Sequence, residues 1–465
     1  MKTLWTAFTM LAAAAASAQP VDRTKPPQTP PIPDYKLAAT YETKLPNGLA
    51  IVLVEDRRFP LVTARLAFLA GAKYDPPGMP GLSGNLAALL TEGTKSRTSK
   101  QIAEEITSMG GDLGGQSGAD GLTLSGNALS ENFSKLLNLM SDCAINASFP
   151  DDEVQLRKQN GKQELTASLA QPSFLARREF GKRVFGDHPY GQSNTLESFD
   201  KLDKQALVDF RDKYMAPNNA TLILVGQLPS RTETLNLIKR EFGSWKQAAA
   251  PSEPAAKFPE PTRQLVLVNR PGSVQADVHI GRLAATRSSN DYYPEAVGNM
   301  ILGGAFDSRF FNDIREKQGF AYDAHSEVTP RKDAATFTGV MQVRNEVLQP
   351  AIQSMLDHMT QIAKERVSAE ELSSAKNFIA GIYILQLETQ NGLASQIGSV
   401  RIAGLPITYL ENYVTRIRQV EPDQLQKVAA KYFDPAHAAI VVVGDAAKIQ
   451  PSLEKFGPVQ VVPAK

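Results

Sequence analysis

Two segments of this chain, 218 residues apart, are spelled nearly alike. KYMAPNNATLILVG (213–226) and KYFDPAHAAIVVVG (431–444) agree at 6 of 14 positions. The same offset pairs Pro150-Asp151-Asp152-Glu153 with Ser368-Ala369-Glu370-Glu371, each at the start of a predicted helix. One match alone could be chance, but two landmarks at one spacing point to a duplicated unit. Each copy holds helix starts and an apolar, β-rich run. The expected fold is therefore α+β: two homologous domains, each a mixed, mainly antiparallel sheet packed with helices. A chain of 465 residues is long enough to bury two such cores.

Composition shifts divide the chain. Lys2, an apolar run from Leu4 to Ala16 and then Ala16-Ser17-Ala18 fit a signal peptide over residues 1–18. Residues 19–35 form a proline-rich linker. The first domain is expected over 36–245 and the second over 263–457. Between them, 246–262 reads KQAAAPSEPAAKFPEPT, a linker composition. The signal peptide implies export, so the mature protein is expected to be periplasmic or secreted. No other apolar run approaches membrane-spanning length. With 50 basic and 49 acidic residues, the chain lacks the basic excess of a nucleic-acid or anionic-membrane binder. Its one cysteine, Cys143, allows no intrachain disulfide and sits in an apolar helical pattern unsuited to a thiolate.

Within the first domain, Pro46-Asn47-Gly48 between two β-rich stretches predicts a hairpin. Thr98 and Gln101 can form a capping box at the head of a helix that Gly110-Gly111 ends. Residues 112–129 are glycine-rich with strand-like ends. Helices are expected over 131–145 and near 151–170, 172–184 and 202–214, then a strand at 221–226. A short helix is expected at 81–92, between Pro80-Gly81 and Gly93, with Leu82, Leu86, Leu89 and Leu90 on one face. By itself it is a packing helix, and nothing on it can hold a metal or move a proton.

Its surroundings say more. The run GAKYDPPGMPGLSGNLAALLTEGT (Gly71–Thr94) resembles the active-site segment of the pitrilysin and insulinase peptidases, the inverzincins. There the segment carries H-x-x-E-H, with two zinc-binding histidines one turn apart and a glutamate as general base. The resemblance places Gly84 and Ala88 where the histidines belong and Ala87 where the glutamate belongs. It places Glu164, in EVQLRKQNGKQELTASLAQP, at the family's third metal ligand. One carboxylate is not a zinc site. His188, His279, His325, His358 and His437 are scattered, with no two at i,i+3 or i,i+4. No G-x-S-x-G elbow is present.

The second half keeps what the first has lost. ILGGAFDSRFFNDIREKQGFAYDAHSE (301–327) resembles the family's second-domain motif, in which an Arg and a Tyr seven residues later bind the substrate backbone beside the zinc. Here they are Arg315 and Tyr322. Arg offers a rigid fork of donors to carbonyls and Tyr a phenolic donor to a developing oxyanion. The resemblance implies a non-catalytic subunit forming half of a clam-shell chamber. Its partner would be a homologous subunit bearing H-x-x-E-H, in a heterodimer that acts on peptides. Zinc is then expected only in that partner, and this chain has no cofactor or catalytic residue of its own. One departure is D-L-G-G-Q-S-G around Gly114, where the family's edge strand usually carries an Asn. That departure counts against peptide docking on this domain's own edge. A scaffold of the same fold with no role in proteolysis is the alternative, and a self-sufficient enzyme of other chemistry is a third. Arg315 and Tyr322 discriminate, because a pure scaffold has no reason to keep them.

Overall fold

Gly48 turns the chain between its first two strands with φ of 94°, a left-handed conformation that only glycine adopts at little cost. Space forbids a side chain there as well, since a Cβ would come within 2.8 Å of Asn218 Cβ. The hairpin so made pairs β1 (Thr40–Lys44) antiparallel with β2 (Ala50–Glu55). The computed structural model describes residues 36–252, 254 and 257–464. The signal peptide expected over 1–18 and the linker expected over 19–35 lie outside the described residues.

The first sheet continues with β3 (Leu61–Phe68), β4 (Asp112–Ser117), β5 (Leu122–Leu129) and β6 (Ala220–Gly226), in the order β1-β2-β6-β3-β5-β4. A second sheet holds β7 (Gln264–Asn269), β8 (Gln275–Ala284), β9 (Ala321–Pro330), β10 (Ala335–Arg344), β11 (Ala439–Gly444) and β12 (Gln460–Pro463), ordered β12-β7-β11-β8-β10-β9. From β2 and β7 onward the two sheets share one topology: a parallel pair at β2–β6 and β7–β11, then antiparallel neighbours to the edge. The chain is thus two copies of one α+β unit. The outer strands differ, because β1 is antiparallel to β2 whereas β12 is parallel to β7. The strand β12 also lies beyond residue 457, where the second domain was expected to end. Its short QVV pattern gives little periodicity to read.

Five helices shape the junction and the candidate sites: α1 (Leu82–Leu89), α2 (Asp151–Leu169), α3 (Pro172–Phe185), α4 (Ala369–Glu388) and α5 (Gln390–Ile402). The Thr98–Gln101 capping box is present at the head of Ser99–Ser108. Cys143 is buried in the helix Phe133–Asn146, and burial pushes its thiol up to about 12.

The helices α3 and α5 occupy equivalent places in the two copies, yet each packs on the other copy's sheet. On α3, Leu175, Ala176, Phe180 and Val184 form one apolar cluster with Val266, Val268, Val441 and Val443 of the second sheet. Reciprocally, α5 lies on β3 and β6, where a Cβ at Gly398 would sit 3.2 Å from Arg65 Cδ and 3.5 Å from Ile223 Cδ1. The stretch 246–262 is therefore not the only connection between the halves. Phe258 within it is itself anchored, its ring 4.3 Å from His188 and 6.2 Å from Tyr190. A buried ionic knot adds to the junction. The fully buried Lys73 side chain lies 2.9 Å from Asp333 Oδ2 and 3.7 Å from Asp120 Oδ1. The Tyr190 hydroxyl donates to Asp120 and lies 3.1 Å from Asp333 Oδ2.

One buried acid sets a pH dependence. Glu295, in the helix Tyr292–Asn299, has no exposed surface. Its Oε2 accepts from the Ala285 amide at 3.0 Å, and its Oε1 has no partner among the described residues. Burial pushes its carboxyl up from 4.5 to about 8. A raised folded-state pKa contributes stability that is complete below 4.5 and lost as pH rises through 8. Relative to Glu295→Gln, the wild type should lose about 2 kcal/mol of stability between pH 6 and pH 8. Urea titrations of both proteins at the two pH values measure this. Parallel pH profiles would mean that the Glu295 carboxyl keeps its ordinary affinity for protons.

Candidate functional site

The helix α1 is built by its N-terminal caps. The carboxylate of Asp75 accepts from the Gly81 amide at 2.6 Å and from the Ser83 amide at 2.8 Å, satisfying two donors that a helix start leaves open. Burial nonetheless pushes the Asp75 carboxyl up to about 6. Leu82, Leu86 and Leu89 enter the first domain's core, and Ala87 goes with them. The strand β4 runs close over the helix, so that a Cβ on Gly115 would meet the Ala87 carbonyl oxygen at 2.1 Å. Gly84 and Ala88 stand one turn apart on the exposed face, and nothing lies within 4 Å of where a Gly84 Cβ would be. Gly84 and Ala88 are thus open to solvent while Ala87 is buried, and none of the three carries a side-chain atom that can ligate a metal or accept a proton.

Glu164 approaches this face from α2, and it does not stand alone. Arg157, two turns earlier on α2, reaches between the helices. Its Nε donates to Asn85 Oδ1 at 2.9 Å, and its Nη2 lies 3.2 Å from Glu164 Oε2. A guanidinium thus neutralises the one carboxylate left at the third-ligand position. Zinc does not fit this donor set, because two ligand positions are empty of donors and the third is already paired with a cation. Among the described residues no group of three or more His, Cys, Asp or Glu could hold a metal ion. His188 is a buried packing residue whose Nδ1 accepts from the Tyr190 amide at 3.2 Å. Burial takes the imidazole of His279 down to about 4, so it is neutral at pH 7.

In the second half the structure brings Arg315 and Tyr322 together. Arg315 lies in a wide, π-helical turn, Phe311–Lys317, and Tyr322 on β9 at the free edge of the second sheet. The Arg315 guanidinium sits 5.1 Å from the Tyr322 ring and 4.4 Å from the Phe311 ring. Phe306 extends the row, edge-on to Phe311 at 5.6 Å. The row is open to solvent, with Tyr322 86% and Phe306 81% exposed. Beside it, Arg309 pairs with Glu371 at 2.8 Å and ties the Phe306 loop to α4, whose Phe378, Ile382 and Leu385 are also exposed at helical spacing. By the 218-residue offset, Ile382 is the second copy's counterpart of Glu164.

Comparison with known proteins agrees with this fold. The family profile described as "Insulinase (Peptidase family M16)" matches residues 50–195, and "Peptidase M16 inactive domain" matches residues 201–379. The chain belongs to peptidase family M16. It is a non-catalytic member of that family, since Gly84, Ala87 and Ala88 supply neither ligand nor base. Relatives of this M16 chain include proteins named "uncharacterized zinc protease" from Rickettsia bellii and Rickettsia felis, each 26% identical. The first match covers 83% of this chain and 90% of the relative, the second 86% and 96%. Among solved structures, the peptidase M16 inactive domain from Pseudomonas fluorescens is similar at 25% identity with a TM-score of 0.82, over 88% of this chain and 98% of that one. The periplasmic protease PqqL from Escherichia coli shares the fold with a TM-score of 0.76 at 14% identity. That match covers 90% of this M16 chain but 47% of PqqL.

Sequence reasoning missed Arg157, Phe306 and Phe311. Arg157 was within reach, because residues seven apart on a helix share a face and an Arg–Glu pair there brackets the ligand position. No signal marked Phe306, because an exposed Phe in GGAFDSRFF looks no different from a core one.

Proposed function

We propose that this chain is the non-catalytic subunit of an exported heterodimeric zinc peptidase. It binds the peptide substrate and completes the active site of a partner that carries H-x-x-E-H and the zinc. The observation that carries the reading is the pairing of Arg315 with the exposed Tyr322 on a free sheet edge. Long aromatic side chains held open to water, next to a fork of donors, suit contact with another chain or a peptide backbone. The open apolar face of α4 beside them supports the same reading. Residues 1–18 support an export route, to the periplasm or beyond it. No helix among the described residues is long and apolar enough to cross a membrane.

The test is reconstitution. Purified alone, the chain should carry far less than about one zinc per chain and should cleave no peptide. Mixed with an H-x-x-E-H homologue encoded beside it, it should give chelator-sensitive peptidase activity that neither shows alone. Stoichiometric zinc and chelator-sensitive cleavage by the chain alone would refute the proposal. A stable complex with no gain in activity would favour the scaffold role instead.

A further inference from the structure

A second candidate site lies behind the degenerate centre. A cavity of about 480 Å³ opens between α2, α3 and the loop 190–194 and is closed on one side by Arg331 from the second half. Its charged lining is one-sided: Arg157, Arg177, Arg178 and Arg331 against Glu164 alone. Arg157 is the cation already paired with Glu164, which leaves three guanidiniums without a carboxylate in the cavity. Arg178 donates to the Asn194 carbonyl at 3.1 Å, and Arg177 makes no hydrogen bond or ion pair with a described residue. The fourth is the most telling. The Arg331 guanidinium is sandwiched near the Phe185 and Tyr190 rings, at 4.4 and 5.3 Å, and its Nη1 is buried with no hydrogen-bond partner among the described residues. A buried charged donor without an acceptor is costly, and the rest of the guanidinium lines the cavity. The acids whose charge reaches Arg331 are Asp120 and Glu327, and Asp120 already faces Lys73 and accepts from Tyr190.

We infer that this cavity binds the carboxylates of an acidic peptide. Guanidinium forks match carboxylates with paired, charge-assisted hydrogen bonds, and several forks converging on one cavity select for more than one negative group. The volume exceeds what a lone small anion fills and takes two or three residues of chain. Position adds to this, because the cavity shares Arg157 and Glu164 with the face where the family's substrates meet metal. Among the described residues that face carries a guanidinium and no group of residues able to hold a metal ion. The result is a site that holds an anionic peptide segment without cutting it. The site is separate from Arg315 and Tyr322 and does not depend on a zinc-bearing partner.

Isothermal titration of the full chain at low salt tests it with three probes: acetyl-tetraglutamate amide, acetyl-tetraglutamine with a free C-terminal carboxylate, and inorganic phosphate. Saturable binding of at least one peptide is expected, weakened about tenfold by Arg177→Gln together with Arg178→Gln and suppressed at high salt. The glutamate peptide binding better assigns the site to acidic side chains, and the glutamine peptide binding better assigns it to a chain terminus. Neither substituted residue belongs to the apolar cluster that packs α3 on the second sheet, and thermal melting checks that the variant folds. Binding of phosphate alone, no saturable binding of either peptide, or unchanged affinity in the double variant would overturn the inference. Because the partner is absent from every arm, these outcomes are independent of whether the heterodimer exists.

Discussion

Phe180→Ala should cost about 3–5 kcal/mol and should weaken both halves of the molecule together. Phe180 belongs by sequence to the first copy, but its ring is 5% exposed and lies against the second copy's sheet, 6.0 Å from the His279 ring. Truncating it leaves a cavity between α3 and β8–β11, where neighbours held by two sheets cannot close in. In a pair of beads on a string, such damage would stay in one bead. Here α3 covers the second sheet and α5 covers the first, so each half depends on a helix from the other. The variant should therefore show one unfolding transition shifted to lower urea, with hydrogen exchange rising together at β6 (Ala220–Gly226) and β11 (Ala439–Gly444). Exchange that rises at β11 while β6 keeps its protection would show that the halves unfold independently and that the exchange of helices contributes little to cooperativity.

That arrangement also marks where the sequence stops being legible. The duplicated unit could be read because its signals are local: apolar runs between breakers, a capping box, and landmarks repeated at one offset. The apolar stripe of α3, Leu175, Ala176, Phe180 and Val184, could be read as buried for the same reason. Which sheet it lies on could not, since periodicity specifies a face and carries no address for its partner. The two sheets' inner faces are also alike in composition, because they descend from one repeated pattern. The site divides in the same way. The loss at Gly84, Ala87 and Ala88 is visible in the letters, and so is the seven-residue spacing that joins Arg315 to Tyr322. What fills the lost centre was hidden, because Arg157 and Glu164 look like an ordinary solvated pair until α1 is placed beside them with Asn85 as the third partner. The ionic knot at Lys73 is further out of reach. Its three other members lie 47, 117 and 260 residues away, and no local pattern ties a lysine to acids at such distances.

In a reconstituted pair with a zinc-bearing partner, Tyr322→Phe should lower turnover roughly a hundredfold while the complex still assembles. The position of the hydroxyl is what makes this variant informative. Tyr322 is 86% exposed on the free edge of the second sheet, so removing one oxygen disturbs no packing and leaves no buried group unpaired. Any loss of rate then reports contact with something outside this chain. A donor aimed at charge that develops during peptide hydrolysis helps the transition state more than the bound substrate, so kcat should fall while peptide affinity changes little. Arg315 should behave differently. Its guanidinium lies by the Phe311 and Tyr322 rings, at 4.4 and 5.1 Å, and its Nε is 3.3 Å from Glu316 Oε1, which limits its swing and leaves its terminal nitrogens to a neighbouring chain. Such a group grips substrate in ground state and transition state alike, so Arg315→Ala should raise KM more than it lowers kcat. Arg315→Lys should recover little, because a single ammonium cannot reproduce a fork. Steady-state kinetics on the mixed subunits, with assembly followed by size exclusion, separates the two roles. Full activity in the Arg315→Ala, Tyr322→Phe double variant would remove the pair from catalysis. The exposed row Phe306–Phe311–Arg315–Tyr322 would then be a docking surface, and the scaffold reading of this M16 chain would replace the catalytic one.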